Sequence, residues 1–183
     1  MTDTITQSRE GADMTDAITL PLQGAAVHDG DADYQAAVLF DAPPEAVFDA
    51  LTTVVGLAGW WTSWTSVSGS GSEGDELRFV SGDGDPLIVH VDRARRPSAM
   101  TWTVLECNIA PDWVGTKPSF ELTPRETGGC ALRFRHQGLT PHLECFSTCR
   151  AGWDQYLASL RDYVESGHGN PSVLSAARAV ERR

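Results

Sequence analysis

The chain has 183 residues, which gives one efficient hydrophobic core plus tails and no room for a second full domain. Its formal net charge of −11, with no basic run interleaved with aromatics, argues against a nucleic-acid partner, because phosphate binding depends on clustered Lys and Arg. No stretch reaches the ~18–20 apolar residues of a membrane span and the start lacks the segments of a secretory signal, so a cytoplasmic location is expected.

Much of the negative charge sits in residues 1–33, where Asp3, Glu10, Asp13, Asp16, Asp29, Asp31 and Asp33 face only Arg9. That stretch reads as an acidic, disordered leader. Met14-Thr15-Asp16 repeats the opening Met1-Thr2-Asp3, which makes Met14 an alternative start. The six Trp and six Phe are concentrated between Tyr34 and Trp153, so the folded domain is placed at 34–167, with 168–183 as a tail holding at most a short helix.

Tyr34 to Phe40 alternates, with Tyr34, Val38 and Phe40 on one parity, and predicts a first strand. Asp41-Ala42-Pro43-Pro44-Glu45 is a helix start, with Asp41 or Ala42 near the N-cap, and the helix runs from about Pro44 to Thr52 with Val47, Phe48 and Leu51 as its apolar face. A second short helix carries Val54, Val55, Leu57 and Ala58 up to a turn at Gly59. Trp60, Trp61 and Trp64 follow together. Ser66 to Gly74 is rich in Ser and Gly and predicts a loop; Gly82-Asp83-Gly84-Asp85 predicts a turn between strands Glu76–Ser81 and Leu87–Asp92. Beyond Arg95-Arg96-Pro97, strands are expected at Met100–Cys107, Trp113–Thr123 and Cys130–Gln137, the last two joined by a polar turn at Pro124–Gly129.

From Pro141 the period changes from two to 3.6. Leu143, Phe146, Cys149, Trp153, Leu157, Leu160 and Val164 recur at three or four residues and form the core stripe of a helix of six or seven turns that Gly167 ends. One strand, two short helices, a run of antiparallel strands and one long helix make an α+β pattern, in which the sheet buries one face on the last helix.

Taken together, several stretches resemble a known superfamily. They are Ala42-Pro43-Pro44-Glu45-Ala46-Val47-Phe48 with Leu51-Thr52, Gly59-Trp60-Trp61-Thr62, Gly115-Thr116 leading into Phe120, Phe134-Arg135-His136-Gln137-Gly138-Leu139, and Gly152-Trp153-Asp154-Gln155-Tyr156-Leu157-Ala158-Ser159-Leu160. Their order over about Tyr34 to Gly167 is similar to the SRPBCC superfamily (START, polyketide cyclase and birch-pollen-allergen-like), in the branch of homologues of the activator of heat-shock-protein-90 ATPase. The resemblance implies a helix-grip fold, a curved antiparallel sheet around a long C-terminal helix with a cavity between them. The functions it implies range from carriage of hydrophobic ligands to cyclase or hydrolase chemistry, with a chaperone-linked interaction module as a third class.

In such a cavity Trp102, Trp113, Phe120, Phe134, Trp153 and Tyr156 are the candidate wall for a small hydrophobic molecule, unless they fill a solid core instead. His136 shares its strand parity with Cys130, Leu132 and Phe134; it either orients a ligand, or moves a proton, or is held by a neighbouring group as buried histidines commonly are. Glu106 shares the parity of Trp102 and Val104 if the strand stays regular to its end, which would give a buried carboxylate; otherwise it lies at the strand end in solvent. His142, Cys145 and Cys149 lie along one side of the long helix but lack a fourth ligand, so no metal and no cofactor is predicted, and all four cysteines are expected to be reduced. Neither a phosphate loop nor a nucleophile elbow is present in the required context. Two protein partners stay open: a chaperone-type partner, through an exposed patch near Trp60, Trp61 and Trp64, and a second copy of the chain in a homodimer.

Overall fold

The computed structural model describes residues 32–62, 66–69, 71–80 and 86–171. The acidic leader up to residue 31, Trp64, the turn at 82–85 and the tail from 172 lie outside the described residues. Seven antiparallel strands form one sheet in the order β1-β7-β6-β5-β4-β3-β2, with β1 at Tyr34–Phe40, β2 at Ser66–Ser68, β3 at Glu76–Val80, β4 at Pro86–Arg95, β5 at Ala99–Cys107, β6 at Lys117–Pro124 and β7 at Cys130–Gln137. Three α-helices accompany it: α1 at Pro44–Thr52, α2 at Val54–Trp60 and α3 at Phe146–Ser166. The α+β class and the helix-grip arrangement expected from the sequence are therefore present.

Alternation does most of the work in β7 and β6. Cys130, Leu132, Phe134 and His136 are buried and Arg133, Arg135 and Gln137 exposed, as a period of two requires. Phe120 and Leu122 pair with Phe134 and Leu132 across the β6–β7 ladder and share that face. The long helix closes it from the other side with Trp153, Leu157 and Leu160. Tyr34 at the start of β1 donates its hydroxyl hydrogen to Asp154 of α3, tying the sheet edge to the helix.

Five details differ from the sequence reading. The first helix is capped by Pro43 rather than Asp41 or Ala42. Gly59 does not end α2, which continues to Trp60; a Cβ on Gly59 would lie 2.3 Å from the Tyr163 ring, so the glycine lets α2 press on α3. Part of the expected Ser-Gly loop is strand, since Ser66–Ser68 pair with Arg78–Val80. Trp113 lies not in a strand but in a 3-10 turn, Pro111–Trp113, and β6 begins only at Lys117, because Gly115 at φ +83° turns the chain there. The residues from 140 to 145 are turns, so α3 starts at Phe146 instead of Pro141.

Contacts also reach past both edges, 34 and 167, that composition suggests. Asp33, assigned to the leader, accepts hydrogen bonds from the Arg135 guanidinium and from the Gly138 backbone N–H at 2.7 Å. Past Gly167, Asn170 donates its N–H to Ser159 Oγ at 2.6 Å, which in turn donates to the Trp60 carbonyl at 2.7 Å. Among the described residues no helix is long and apolar enough to cross a membrane.

Candidate functional site

Between sheet and α3 lies a column of aromatic rings. Trp153 reaches from the middle of α3 onto the sheet, where its ring lies 4.4 Å from Phe134 and stacks on Trp113 at 5.7 Å with the planes 6° apart. On the other side it meets Trp61, 5.8 Å away, and Trp61 stacks in turn on Trp102 at 5.3 Å and 9° and on Trp60 at 5.8 Å and 14°. Phe120 packs its edge on Trp102 at 5.0 Å, and Tyr156 stands edge-on to Trp153 at 6.1 Å. Offset stacks and T-shaped contacts at these separations are the favoured geometries for rings in contact.

Six residues expected along a cavity wall are thus brought together, but as mutual neighbours. Trp102, Phe120, Phe134 and Trp153 are each 0% exposed. A ring lining a void wide enough for water would retain accessible surface; these four retain none. The interval between helix and sheet is filled at this level, because Trp61 stands between Trp102 and Trp153. Trp60 and Trp61, expected in an exposed patch, are 0% and 4% exposed. They end and follow the apolar helix α2, whose packing on α1 and α3 carries them inward, Trp60 Nε1 donating to the Ala50 carbonyl at 2.9 Å.

His136 stands at one end of the column, fully buried. Trp153 Nε1 donates to its Nδ1 at 2.8 Å, and since an indole nitrogen only donates, Nδ1 carries no proton. The ring proton is therefore on Nε2, which lies 2.7 Å from Thr116 Oγ1, and that hydroxyl gives its own hydrogen to the Trp113 carbonyl at 2.6 Å. The chain of donors is fully assigned. Burial pushes the His136 pKa down to about 3, outweighing the Asp33 carboxylate, which favours the charged form. A neutral imidazole with both nitrogens engaged and no exposed surface has neither a lone pair nor a proton to offer a substrate.

Glu106 is the sequence candidate that leaves the group. Opposite β4, Val104 pairs with Val89 but Glu106 pairs with Ile88, so Leu105 is an extra residue in β5. This bulge reverses the parity: Cys107 is buried where Glu106 was expected, and Glu106 is only half-buried. Thr116 and Trp61 are the members that sequence reasoning missed. Both lie in stretches singled out for the resemblance, yet neither sits in a repeating pattern that would show which way it points.

One donor in the column has no partner. Trp102 Nε1 is buried and makes no hydrogen bond, and no water-sized space adjoins its ring. An unpaired buried donor of this kind costs about 1–3 kcal/mol. On the opposite, outer face of the sheet a hollow of about 310 Å³ is lined by Gln35, Ser119, Glu121, Arg133 and Arg135, a charged surface unsuited to an apolar molecule. No group of three or more His, Cys, Asp or Glu among the described residues is arranged to hold a metal ion.

Residues 41–165 match the model of the family described as activator of Hsp90 ATPase homolog 1-like protein. The chain belongs to that family. Among solved structures it is similar to an Aha1 from Colwellia psychrerythraea, determined as a dimer, at 29% identity and a TM-score of 0.63 over 74% of this chain and 97% of that one. It is also similar to a protein from Staphylococcus saprophyticus (18% identity, TM-score 0.61, covering 74% of this chain and 93% of that one). CalU16 from Micromonospora echinospora shares 19% identity at a TM-score of 0.59, covering 76% of this chain and 78% of that one. At those lower identities the likeness concerns the fold alone. Comparison with curated proteins gives no match.

Proposed function

We propose that this domain binds a small, largely apolar molecule between the sheet and α3, and that it does so in a cytoplasmic setting by parting the aromatic column. The observation that supports this reading is the Trp102 indole N–H, buried without a partner inside a wall of rings. A ligand acceptor brought to the edge of that ring recovers the hydrogen bond, while apolar burial at about 25 cal/mol per Å² supplies most of the affinity. Trp61 is the ring that has to yield, since it stands between Trp102 and Trp153 and lies one residue beyond α2, whereas its two neighbours are fixed in β5 and α3.

The test is titration of the full chain with flat aromatic ketones and matched hydrocarbons, read by tryptophan emission and by the indole N–H signals in NMR. Binding is expected to move the Trp102 signal, with the ketone bound more tightly than the hydrocarbon. Trp61→Ala is expected to bind at least tenfold more tightly, because the closed column no longer competes. Absence of binding by both the natural chain and the variant sinks the proposal. The cyclase or hydrolase alternative, with His136 or Glu106 moving a proton, is the weaker reading, given the locked imidazole and the outward turn at Leu105.

A second reading is favoured by a separate observation. Leu105, Ile109 and Val114 are 44%, 53% and 53% exposed around the 3-10 turn, a concentration of large apolar side chains at one end of the sheet. The Colwellia relative was determined as a dimer. Self-association through this end is expected to appear as a two-chain mass in light scattering and to be lost in Ile109→Glu; a monomer at high concentration removes the reading.

A further inference from the structure

Two half-buried thiols, Cys145 and Cys149, stand at the start of α3 beside Trp113 of the aromatic column, and nothing in the proposed ligand site uses them. They are four residues apart, joined by the backbone bond from the Cys149 N–H to the Cys145 carbonyl at 2.8 Å. The Trp113 indole N–H donates to Cys149 Sγ at 3.1 Å, and Cys145 hydrogen-bonds to the same sulfur. Two donors, the Trp113 indole N–H and the Cys145 thiol, thus converge on the Cys149 sulfur. Burial first and then its bond to Cys149 push the Cys145 thiol up to about 12, so Cys145 keeps its proton.

The geometry points to Cys145 and Cys149 as a two-thiol site oxidised reversibly by a hydroperoxide, with Cys149 the sulfur attacked first and Cys145 the sulfur that resolves it. Cys149 thiolate attacks one peroxide oxygen; the S–O bond forms, the O–O bond breaks, and the departing hydroxide takes a proton from solvent to become water. Cys145 then attacks the Cys149 sulfenic acid, forming the S–S bond as the S–O bond breaks, and its proton leaves with the hydroxide as a second water. The two thiols lose two electrons and the peroxide gains them.

Helix geometry puts Cα atoms four residues apart at about 6.2 Å, inside the range of about 4.4–6.8 Å that a disulfide spans. The side chains still have to approach. Cys145 can supply that movement because it is the N-cap residue, preceded by turns and with no side-chain capping bond to lose. The other two thiols lack these features: Cys107 and Cys130 are buried in strands, and burial raises both. The site also touches the column, since Trp113, which holds Cys149, stacks on Trp153.

The experiment treats the reduced full chain with hydrogen peroxide and follows each cysteine by non-reducing digestion and mass spectrometry. Cys149 is expected to be consumed first, at least tenfold faster than Cys107 or Cys130, and to end in an intramolecular Cys145–Cys149 disulfide that dithiothreitol reverses. In Cys145→Ser, dimedone is expected to trap a sulfenic acid on Cys149. In Cys149→Ser, the thiol of Cys145 is expected to stay unoxidised over the same period. The inference is overturned if Cys107 or Cys130 reacts as fast as Cys149, or if only disulfides between chains form. The rate ranking in the natural chain stands whether or not either variant folds.

Discussion

Thr116 and Lys117 are consecutive residues that serve opposite faces of the same sheet. Thr116 points inward, where its buried hydroxyl joins His136 and the Trp113 carbonyl. Lys117 points outward and meets Asp92 Oδ2 at 3.0 Å, a carboxylate that also accepts from Thr103 at 2.6 Å and has His90 3.9 Å away. Both clusters are hydrogen-bonded, but the inner one is buried, so solvent is a poor substitute for a lost partner. The outer one is open to solvent, with Lys117 45% and Asp92 25% exposed. The same kind of contact is therefore consequential inside and nearly optional outside.

The largest break of this contrast is Trp153→Ala. It removes a fully buried indole from the centre of the column and leaves His136 Nδ1 without its donor; a loss of about 3–5 kcal/mol in urea unfolding is expected. Acid sharpens the comparison next. The unfolded chain protonates its histidine on passing below about pH 6.5, whereas folded His136 does so only at about 3, so stability falls as pH drops through that window. In His136→Gln that part of the slope should disappear from a pH series of unfolding midpoints.

Thr116→Val strips the inner cluster of one hydroxyl at little change in volume, and is expected to cost about 1–3 kcal/mol because the His136 N–H is left unpaired. Asp92→Asn, the outer counterpart, is expected to cost roughly 0–1 kcal/mol and to lose even that in high salt. Burial raises the Asp92 pKa, but the hydrogen bonds and charges of Thr103 and Lys117 outweigh it and leave it below its ordinary 3.8. Its contribution is thus lost only as pH falls below that value, well after the His136 decline has begun. A Thr116→Val variant as mild as Asp92→Asn would show that the inner cluster relaxes or admits water.

The inward parity of Phe134 and His136 was legible because β7 alternates without interruption over eight residues. Glu106 was misread on the same principle, since alternation carries to the end of a strand only when the partner strand adds no bulge. Trp61 was misread because it follows a short helix, where no period continues to say which side faces the core. The stacked rings were recognisable as an inward-facing set; that they touch each other was not.

Local chemistry by itself determined the order of the elements other than β2, the span of the first helix, the inner face of the main strands and the core stripe of α3, because each follows from the spacing of side chains along a few turns or pleats. Contacts between distant segments decided the rest: the bulge at Leu105, the 3-10 turn at Trp113, the tautomer of His136 and the placing of Trp61 between sheet and helix. The separation of two layers is set by the side chains that meet across them, and residues more than 90 positions apart, such as Trp61 and Trp153, meet only once the chain has folded.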